Sequence, residues 1–158
     1  MAAEDPLRRA LGLAFSHLGR RDRTIAEVGD HLMGRGVDPP TIERALDSLR
    51  KSGYLDDERY ARRFAEDRRQ LDGWGRERIE GGLLKVGIDP EVAAAIARPA
   101  EPDAEMRRAL LLLDRRFPAG LCDDRERRRA LGLLTRRGYE LELAYDAIRQ
   151  HERAARAA

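Results

Sequence analysis

Three consecutive carboxylates, Asp56, Asp57 and Glu58, form the densest group of side chains that could do chemistry. Such a run could hold a divalent cation or exchange protons with a substrate. Carboxylates also gather in the first turn of helices, where free N–H groups and the helix dipole favour negative charge. Because Gly53 stops the preceding helix here, we expect Asp56 to cap the next one. The sequence therefore favours a capping role over a metal or acid–base site.

The residues around these carboxylates are apolar. Tyr54 and Leu55 come before them, and Tyr60 and Phe64 follow on the next helix. We expect Tyr54 and Leu55 to plug the joint, and Tyr60 to share a buried helix face with Phe64. Residues 53–61 are therefore predicted to join two structural units.

A second group with possible function is the set of arginines at 125–137. A helix that turns about 100° per residue places four of them on one side, opposite Ala130 and Leu134. These four are Arg125, Arg128, Arg129 and Arg136. Gly132 lies between them and would let a backbone come close. The pattern suits a phosphate or an acidic protein surface. Glu126 is the only acid in this run, so the arginines have few partners for ion pairs. A partner-binding face and an ordinary solvated face are equally compatible with the sequence.

Two smaller basic groups are further candidates. Arg78 and Lys85 lie on the side of their helix that turns away from its apolar residues. Arg62 and Arg69 share one side of the preceding helix, but glutamates four positions either side of Arg62 can neutralise it. For Arg62 and Arg69 the sequence favours a solvated face over a binding site, because exposed ion pairs are common and weak.

No motif for catalysis or cofactor binding is visible. The chain has no Gly-x-x-x-x-Gly-Lys loop, and the histidines at 17, 31 and 151 lack the spacing of a metal site or a triad. We expect no metal, no cofactor and no enzymatic activity. The single cysteine, Cys122, excludes an internal disulfide and suits a reducing cytosol. With no secretory signal and no apolar run of about 20 residues, we expect a cytoplasmic protein without membrane contact.

Composition indicates helices and argues against a protein built mainly to bind free DNA. Of the 158 residues, 42% are apolar but only 5% are aromatic, which is typical of helical cores rich in Leu and Ala. The net charge of +2 hides a basic excess in residues 102–158, which hold 13 arginines against 10 carboxylates. A binder of free DNA usually has a strongly basic domain. A protein partner or a nucleoprotein therefore fits better.

The elements that position these groups recur with a period of 51 residues, marked by Gly36, Gly87 and Gly138. Each glycine is placed to end a helix in the left-handed conformation, and Asp-Pro follows the first two as a start signal for the next helix. Apolar residues recur eight and four positions before each glycine, as on one face of a helix. These pairs are Val28 and Leu32, Ile79 and Leu83, and Ala130 and Leu134. The sequence thus predicts one unit repeated three times.

We predict nine helices in three units, at 1–56, 57–101 and 102–158. The helices are expected at 6–18, 25–35, 39–52, 57–71, 76–86, 90–98, 103–117, 125–137 and 140–153. Thr24 and Glu27 open the second helix as a capping box. Units of about 50 residues are near the lower limit of independent stability, so neighbours should pack together. The expected fold is all-α, with three tandem three-helix repeats forming an elongated curved rod.

Three groups of residues, in this order, form a specific combination. They are Gly53-Tyr54-Leu55-Asp56-Asp57 with Tyr60-Ala61, then Gly73, Arg78-Ile79, Leu83 and Gly87-Ile88, then Leu134-Thr135-Arg136-Arg137-Gly138-Tyr139. This combination resembles the RecX family of recombinase regulators over nearly the whole chain. The resemblance implies an all-α protein of three three-helix repeats. Its structural signature would be Gly36, Gly87, Gly138, Tyr54, Asp56, Asp57 and Tyr60.

One stretch departs from the family pattern. Gly73-Trp74-Gly75-Arg76-Glu77 is rich in glycine where the family more often has a lysine and a proline, which leaves the start of that helix open. As the only tryptophan, Trp74 is interpreted as an anchor in the core or between repeats, in preference to a residue that stacks on bases.

The resemblance also implies a function. RecX-family proteins bind the RecA recombinase filament on DNA and restrain its strand exchange, ATP turnover and assisted repressor cleavage, without catalysis of their own. We expect a monomer that contacts single- and double-stranded DNA weakly. Two modes of binding stay open: the protein could lie along the filament groove or cap the filament end. Direct DNA recognition by a helix-turn-helix-like unit and a passive helical scaffold are the competing hypotheses.

Overall fold

The computed structural model describes residues 3–158, and over these residues it contains nine α-helices and no strand. The helices are α1 Pro6–Leu18, α2 Ile25–Gly34, α3 Pro39–Lys51, α4 Asp57–Asp72, α5 Arg76–Lys85, α6 Pro90–Ala97, α7 Ala104–Arg116, α8 Asp124–Arg136 and α9 Leu141–Ala157. Every end lies within one residue of the prediction, except that α9 continues to Ala157. This extension reads Ala-Ala-Arg-Ala, which has high helix propensity. The all-α prediction is confirmed.

Helix starts use the predicted caps. The Asp56 carboxylate accepts a hydrogen bond from the backbone N–H of Arg59 at 3.0 Å, and Asp38 caps α3 in the same way. Thr24 and Glu27 form the reciprocal capping box. Each of these bonds satisfies an N–H group that the helix end would otherwise leave free. The run of three carboxylates therefore belongs to the start of α4.

The repeat is confirmed in the middle helix of each unit. The backbone φ angle is +77° at Gly36, +83° at Gly87 and +92° at Gly138, which is the left-handed region that favours glycine. The apolar pairs that precede these glycines are all 0% exposed. Each middle helix thus faces its core with the same two positions and ends in the same conformation.

The buried residues form three separate clusters, one for each group of three helices. We call α1–α3 unit 1, α4–α6 unit 2 and α7–α9 unit 3. The clusters lie within residues 10–55, 61–97 and 109–148. The core of unit 2 is small and rich in alanine, and Tyr60, Phe64 and Trp74 pack around it. The residue boundaries proposed for the units stay a prediction.

The chain is extended because its helices pack mainly within their own units. Its accessible surface is 10295 Å², whereas a compact monomer of 17.9 kDa would expose about 8,000 Å². Among residues 3–158, no helix is both long and apolar enough to cross a membrane. The three cores are therefore arranged in a row, and their relative position depends on the short contacts between units.

Units 1 and 2 meet where the N-terminus of α2 faces the C-terminus of α5, and we call this contact the first junction. The Thr24 hydroxyl donates to the carbonyl of Val86 at 2.5 Å. A Cβ added at Gly87 would lie 2.4 Å from the Cβ of Ala26. The predicted glycine therefore has two roles, because it ends α5 and also lets the two units approach each other.

Units 2 and 3 meet in the same way, with the N-terminus of α5 against the C-terminus of α8, and we call this contact the second junction. The backbone N–H of Gly75 donates to the carbonyl of Arg137 at 2.7 Å, and that of Glu77 to Gly138 at 3.0 Å. The Tyr139 hydroxyl donates to the carbonyl of Gly73 at 2.8 Å. The glycine-rich stretch that departs from the family pattern is therefore the surface that receives unit 3.

Candidate partner-binding site

The arginines predicted on one side of α8 depend on how that helix is rotated about its axis. Ala130 and Leu134 are 0% exposed and belong to the core of unit 3. Asp123 starts the helix by accepting a hydrogen bond from the backbone N–H of Glu126 at 2.8 Å. Since the apolar stripe fixes the rotation of α8, the positions opposite it face solvent.

These arginines line one groove between α7 and α8. The groove has a volume of about 340 Å³. Its lining residues are Arg116, Phe117, Arg125, Arg128, Arg129, Leu133 and Arg136. The structure therefore brings together all four of the predicted α8 residues, and Arg116 from the end of α7 joins them. We call these five arginines the arginine groove.

Sequence spacing does not identify Arg116, because it lies on another helix. Its position is set by the end of α7, where Phe117 is 7% exposed and belongs to the core of unit 3. The buried ring of His151 reinforces this end, with Nδ1 2.9 Å from a carboxylate oxygen of Asp114 and Nε2 3.1 Å from the carbonyl oxygen of Phe117. The sequence signal that could have found Arg116 is its place beside Phe117, a large apolar residue at a helix end.

The positive charge of the arginine groove is not neutralised by neighbouring residues. Within the part of the chain that the structure describes, none of its five arginines has a carboxylate within ion-pair distance. Arg127, elsewhere on α8, pairs with Asp124 at 2.7 Å and also with Glu152. Guanidinium groups that lack acidic partners are available for phosphate or carboxylate oxygens, which they can bind through paired N–H groups.

The opening expected over Gly132 is occupied. A Cβ added at this position would lie 2.7 Å from Nη1 of Arg136, so the Arg136 side chain folds back over the glycine. The absence of a side chain at 132 thus lets Arg136 lie flat along α8.

The second predicted group, Arg78 and Lys85, does not form one surface. Arg78 belongs to the second junction: its guanidinium donates to the carbonyl of Arg136 at 2.9 Å and lies 4.2 Å from the ring centroid of Trp74. Trp74 is partly buried, packs against the core of unit 2 and adjoins the unit 3 contact, as an anchor would. Lys85 is exposed in the last turn of α5.

Arg62 and Arg69 both have partners. Arg62 pairs with Glu58 at 2.6 Å, and both side chains are exposed. Arg69 is partly buried and donates to the carbonyls of Ile96 and Ala97 at 2.9 and 3.0 Å. It therefore caps the C-terminal end of α6. These bonds leave Arg62 and Arg69 less available to a partner than the arginine groove.

The signature around residue 56 joins units 1 and 2. Asp57 accepts a hydrogen bond from the backbone N–H of Ile25 in unit 1 at 2.9 Å, and burial raises the pKa of this carboxyl. Over residues 3–158, no cluster of three or more His, Cys, Asp or Glu side chains could hold a metal ion. Leu55 fills the joint, whereas Tyr54 is 57% exposed and lies edge-on against Phe15. Tyr54 therefore covers the joint from outside.

Family models match two parts of the chain. Residues 10–49 match the model described as "RecX, first three-helix domain", and residues 56–95 match "RecX, second three-helix domain". These two ranges correspond to the helices of units 1 and 2.

Whole proteins give the same result. Regulatory protein RecX from Mycobacterium sp. (strain JLS) is 34% identical over 137 residues, covering 83% of this chain and 75% of that protein. The protein of the same name from Amycolatopsis mediterranei (strain U-32) is 32% identical over 152 residues, covering 95% and 87%. The crystal structure of RecX from Lactobacillus salivarius has 19% sequence identity and a TM-score of 0.82, covering 95% of this chain and 99% of that one. This likeness shows a shared fold over nearly the full length of both chains.

Proposed function

The chain belongs to the RecX family, and from this we propose that it binds the RecA recombinase filament on DNA and inhibits strand exchange, ATP hydrolysis and coprotease activity. Its cellular role would then be to modulate DNA repair, recombination and the SOS response. The observation that carries the proposal is the arginine groove, which presents five uncompensated positive charges on one unit of an extended rod.

The shape supports a polymer as the partner. Three separate cores in a row give a long surface, and many modest contacts along a filament add up without a deep pocket. The arginine groove lies at one end of this row, where it can hold phosphate or acidic groups while units 1 and 2 reach along the neighbouring surface. This arrangement suits a protein that blocks sites on a filament without doing chemistry of its own.

We further propose that the protein acts as a monomer in the cytoplasm. Both ends of the row of middle helices are closed by their own unit: Arg9 donates to the carbonyl of Arg35 at 3.3 Å beyond α2, and Asp123 caps α8. These bonds satisfy some of the free groups at the two outer helix ends, which reduces what a second copy would gain by docking there.

The test is ATP hydrolysis by the cognate recombinase on single-stranded DNA with added protein. We expect inhibition at stoichiometric amounts. Charge reversal of Arg116, Arg125, Arg128 and Arg129 to glutamate should weaken inhibition at least about tenfold, because attraction becomes repulsion. The matched control reverses four exposed arginines outside the groove, namely Arg8, Arg44, Arg153 and Arg156. Equal inhibition by both variants would remove the groove from the proposal, and no inhibition by the wild type would contradict the function.

Direct DNA binding is the second candidate, because the same unpaired arginines suit phosphates. If all five contacted a single strand, the logarithm of the binding constant would fall with that of salt concentration with a slope of about −3.5. We expect weak, salt-sensitive binding that the four-residue reversal abolishes. Affinity for free DNA as tight as that for the filament would favour the DNA-binding function instead.

A further inference from the structure

A second concave surface lies where α4 of unit 2 and α7 of unit 3 run beside each other. We call it the inter-unit cleft. It has a volume of about 580 Å³ and is lined by six residues between 66 and 73, by four residues between 108 and 115, and by Arg137. It shares no lining residue with the arginine groove. The two surfaces can therefore be altered separately.

The inter-unit cleft exposes apolar side chains that no core uses. Leu71 is 74% exposed at the end of α4, and Leu111 is 53% exposed on α7. Leu112, which packs against the core of unit 3, also lines the cleft, with its side chain 3.0 Å from where a Cβ at Gly73 would be. Covering leucines of this kind is favourable by about 25 cal/mol for each Å² removed from water. An apolar partner group would therefore gain free energy here.

Cations surround these leucines and are only partly neutralised. Among the described residues, Arg115 has no ion-pair partner, and Nε and Nη2 of Arg108 are buried without a hydrogen bond. Arg69 and Arg137 donate to backbone carbonyls, which leaves their charge unpaired.

Two carboxylates, Glu66 and Asp72, line the inter-unit cleft and are outnumbered by its four arginines. Asp72 pairs with Arg68 at 2.6 Å, and Glu66 accepts a hydrogen bond from Gln70 at 2.5 Å. Glu105, buried behind the arginines, accepts from the backbone N–H of Arg76 at 2.6 Å. The inter-unit cleft as a whole is therefore apolar at its centre and positive around it.

The equivalent place between units 1 and 2 is closed. The space between α1 and α4 is about 20 Å³, because Leu18, Tyr54 and Tyr60 fill it. The opening is thus specific to the contact of units 2 and 3 and does not follow from the repeat.

We propose that the inter-unit cleft binds an acidic, leucine-bearing peptide segment of a protein partner. Leucine side chains of the segment cover Leu71 and Leu111, and a carboxylate pairs with the exposed Arg115 in the bidentate geometry that guanidinium groups favour, while the partly buried Arg108 adds positive charge behind it. A nucleic acid would satisfy the arginines but leave both leucines exposed to its charged backbone. The proposal does not depend on the recombinase being the partner.

The test uses the full chain and a fluorescent, end-blocked peptide of repeated Glu-Glu-Leu-Leu, with binding followed by fluorescence anisotropy. We expect saturable binding that weakens at least about tenfold in Leu71→Ser/Leu111→Ser and in Arg115→Glu, since both remove contacts central to the site. All three residues are exposed, so folding should be unchanged, which circular dichroism checks. Arg129→Glu, in the arginine groove, should change the affinity less than twofold.

Control peptides separate the two features of the site. A peptide with lysine in place of glutamate and one with serine in place of leucine should both fail to bind. Absence of saturable binding, equal weakening by Arg129→Glu, or displacement of the peptide by single-stranded oligothymidine would overturn the proposal. Because no recombinase is present, a failure of the filament proposal leaves this result unaffected.

Discussion

The two junctions place the same helix ends together but hold them with different contacts. In each, the glycine that ends a middle helix packs against the N-terminus of the preceding middle helix. The first junction relies on side chains, with the Thr24 hydroxyl on a carbonyl and a glycine beside the methyl of Ala26. The second junction adds backbone-to-backbone hydrogen bonds, through the N–H groups of Gly75 and Glu77, to the side-chain bonds of Arg78 and Tyr139. The same repeat position is thus held by side chains in one place and also by the backbone in the other.

The first helices of the units, α1, α4 and α7, differ in how closely they pack. Tyr54 and Tyr60 fill the space between α1 and α4, whereas α4 and α7 leave the inter-unit cleft between them. The repeat therefore fixes how middle helices stack and leaves the first helices free to differ. Because of this, the second junction can be both the more rigid contact and the one with space for a partner.

The largest expected difference between the two junctions comes from adding a methyl group at each repeat glycine. Gly138→Ala places a Cβ 2.4 Å from the backbone N of Arg78, in addition to the strain of a positive φ angle. We expect a loss of about 3 kcal/mol or more in the free energy of unfolding. Gly36→Ala has the same backbone strain but open space around it, so it should lose only about 1 kcal/mol. Urea unfolding measures both values.

Gly87→Ala separates side-chain from backbone contact. Its Cβ would meet the methyl of Ala26 at 2.4 Å, and the double variant Gly87→Ala/Ala26→Gly should recover the part of the loss due to this contact. No such rescue exists for Gly138, since its neighbour is backbone. The fluorescence of Trp74 reports on the second junction, so Gly138→Ala should shift that signal and Gly36→Ala should not. Equal losses at all three glycines would mean that only the helix end matters.

Alkaline pH should weaken the second junction through Tyr139. Burial raises the pKa of Tyr139 to about 12. An acid whose pKa is raised by folding stabilises the fold below its unfolded-state pKa, near 10, and this contribution is lost as pH rises toward 12. The loss should approach about 2 kcal/mol.

Tyr139→Phe isolates this effect. It removes the bond to Gly73, costing about 1 kcal/mol at neutral pH, and it also removes the ionisation. The stability gap between Tyr139→Phe and the wild type should therefore narrow between pH 9 and 11 in urea unfolding. Tyr145→Phe, which removes an exposed phenol on α9, is the control. A constant gap would show that Tyr139 is accessible to water in the folded chain.

Most of the fold follows from the sequence, because its signals are local. Helix ends depend on residues such as Asp56 and Thr24, which bond to their own helix, and the period of 51 places the middle helices. The same dependence on local signals explains why the prediction that Tyr54 plugs the joint was only partly right: Tyr54 is 57% exposed. Its spacing shows that it lies at the joint, but exposure depends on how closely units 1 and 2 approach.

The candidate site could be predicted only in part. The four arginines on α8 share a helix face that periodicity reveals, whereas Arg116 joins them through packing between helices. Arg78 had the same sequence signal as the α8 residues, yet it lies against Trp74 and unit 3. The repeat glycines Gly87 and Gly138 lie at the first and second junctions, but the side chains packed around them differ between the two, so the inter-unit cleft had no sequence signature.

The smallest expected effect concerns the carboxyls that cap across the junctions. Asp57 accepts from Ile25 at the first junction, and Glu105 accepts from Arg76 at the second. Alanine at either position leaves a backbone N–H without its partner, at a cost of about 1 kcal/mol. Glu105 is 5% exposed and Asp57 is only partly buried, so water can replace the lost bond more easily at the first junction. We expect Glu105→Ala to be the more destabilising change in urea unfolding.

Glu105→Gln tests the charge alone, because it keeps an oxygen for the Arg76 N–H. Burial raises the pKa of Glu105, outweighing that hydrogen bond and the charges of Arg108 and Arg69. A carboxyl of this kind stabilises the fold below its unfolded-state pKa and loses that contribution as pH rises through its folded-state pKa. The glutamine variant should therefore match the wild type near pH 4 and gain on it toward pH 7. A variant that instead becomes relatively less stable with rising pH would mean that the arginines outweigh burial, and that the second junction gains stability from the ionised carboxylate.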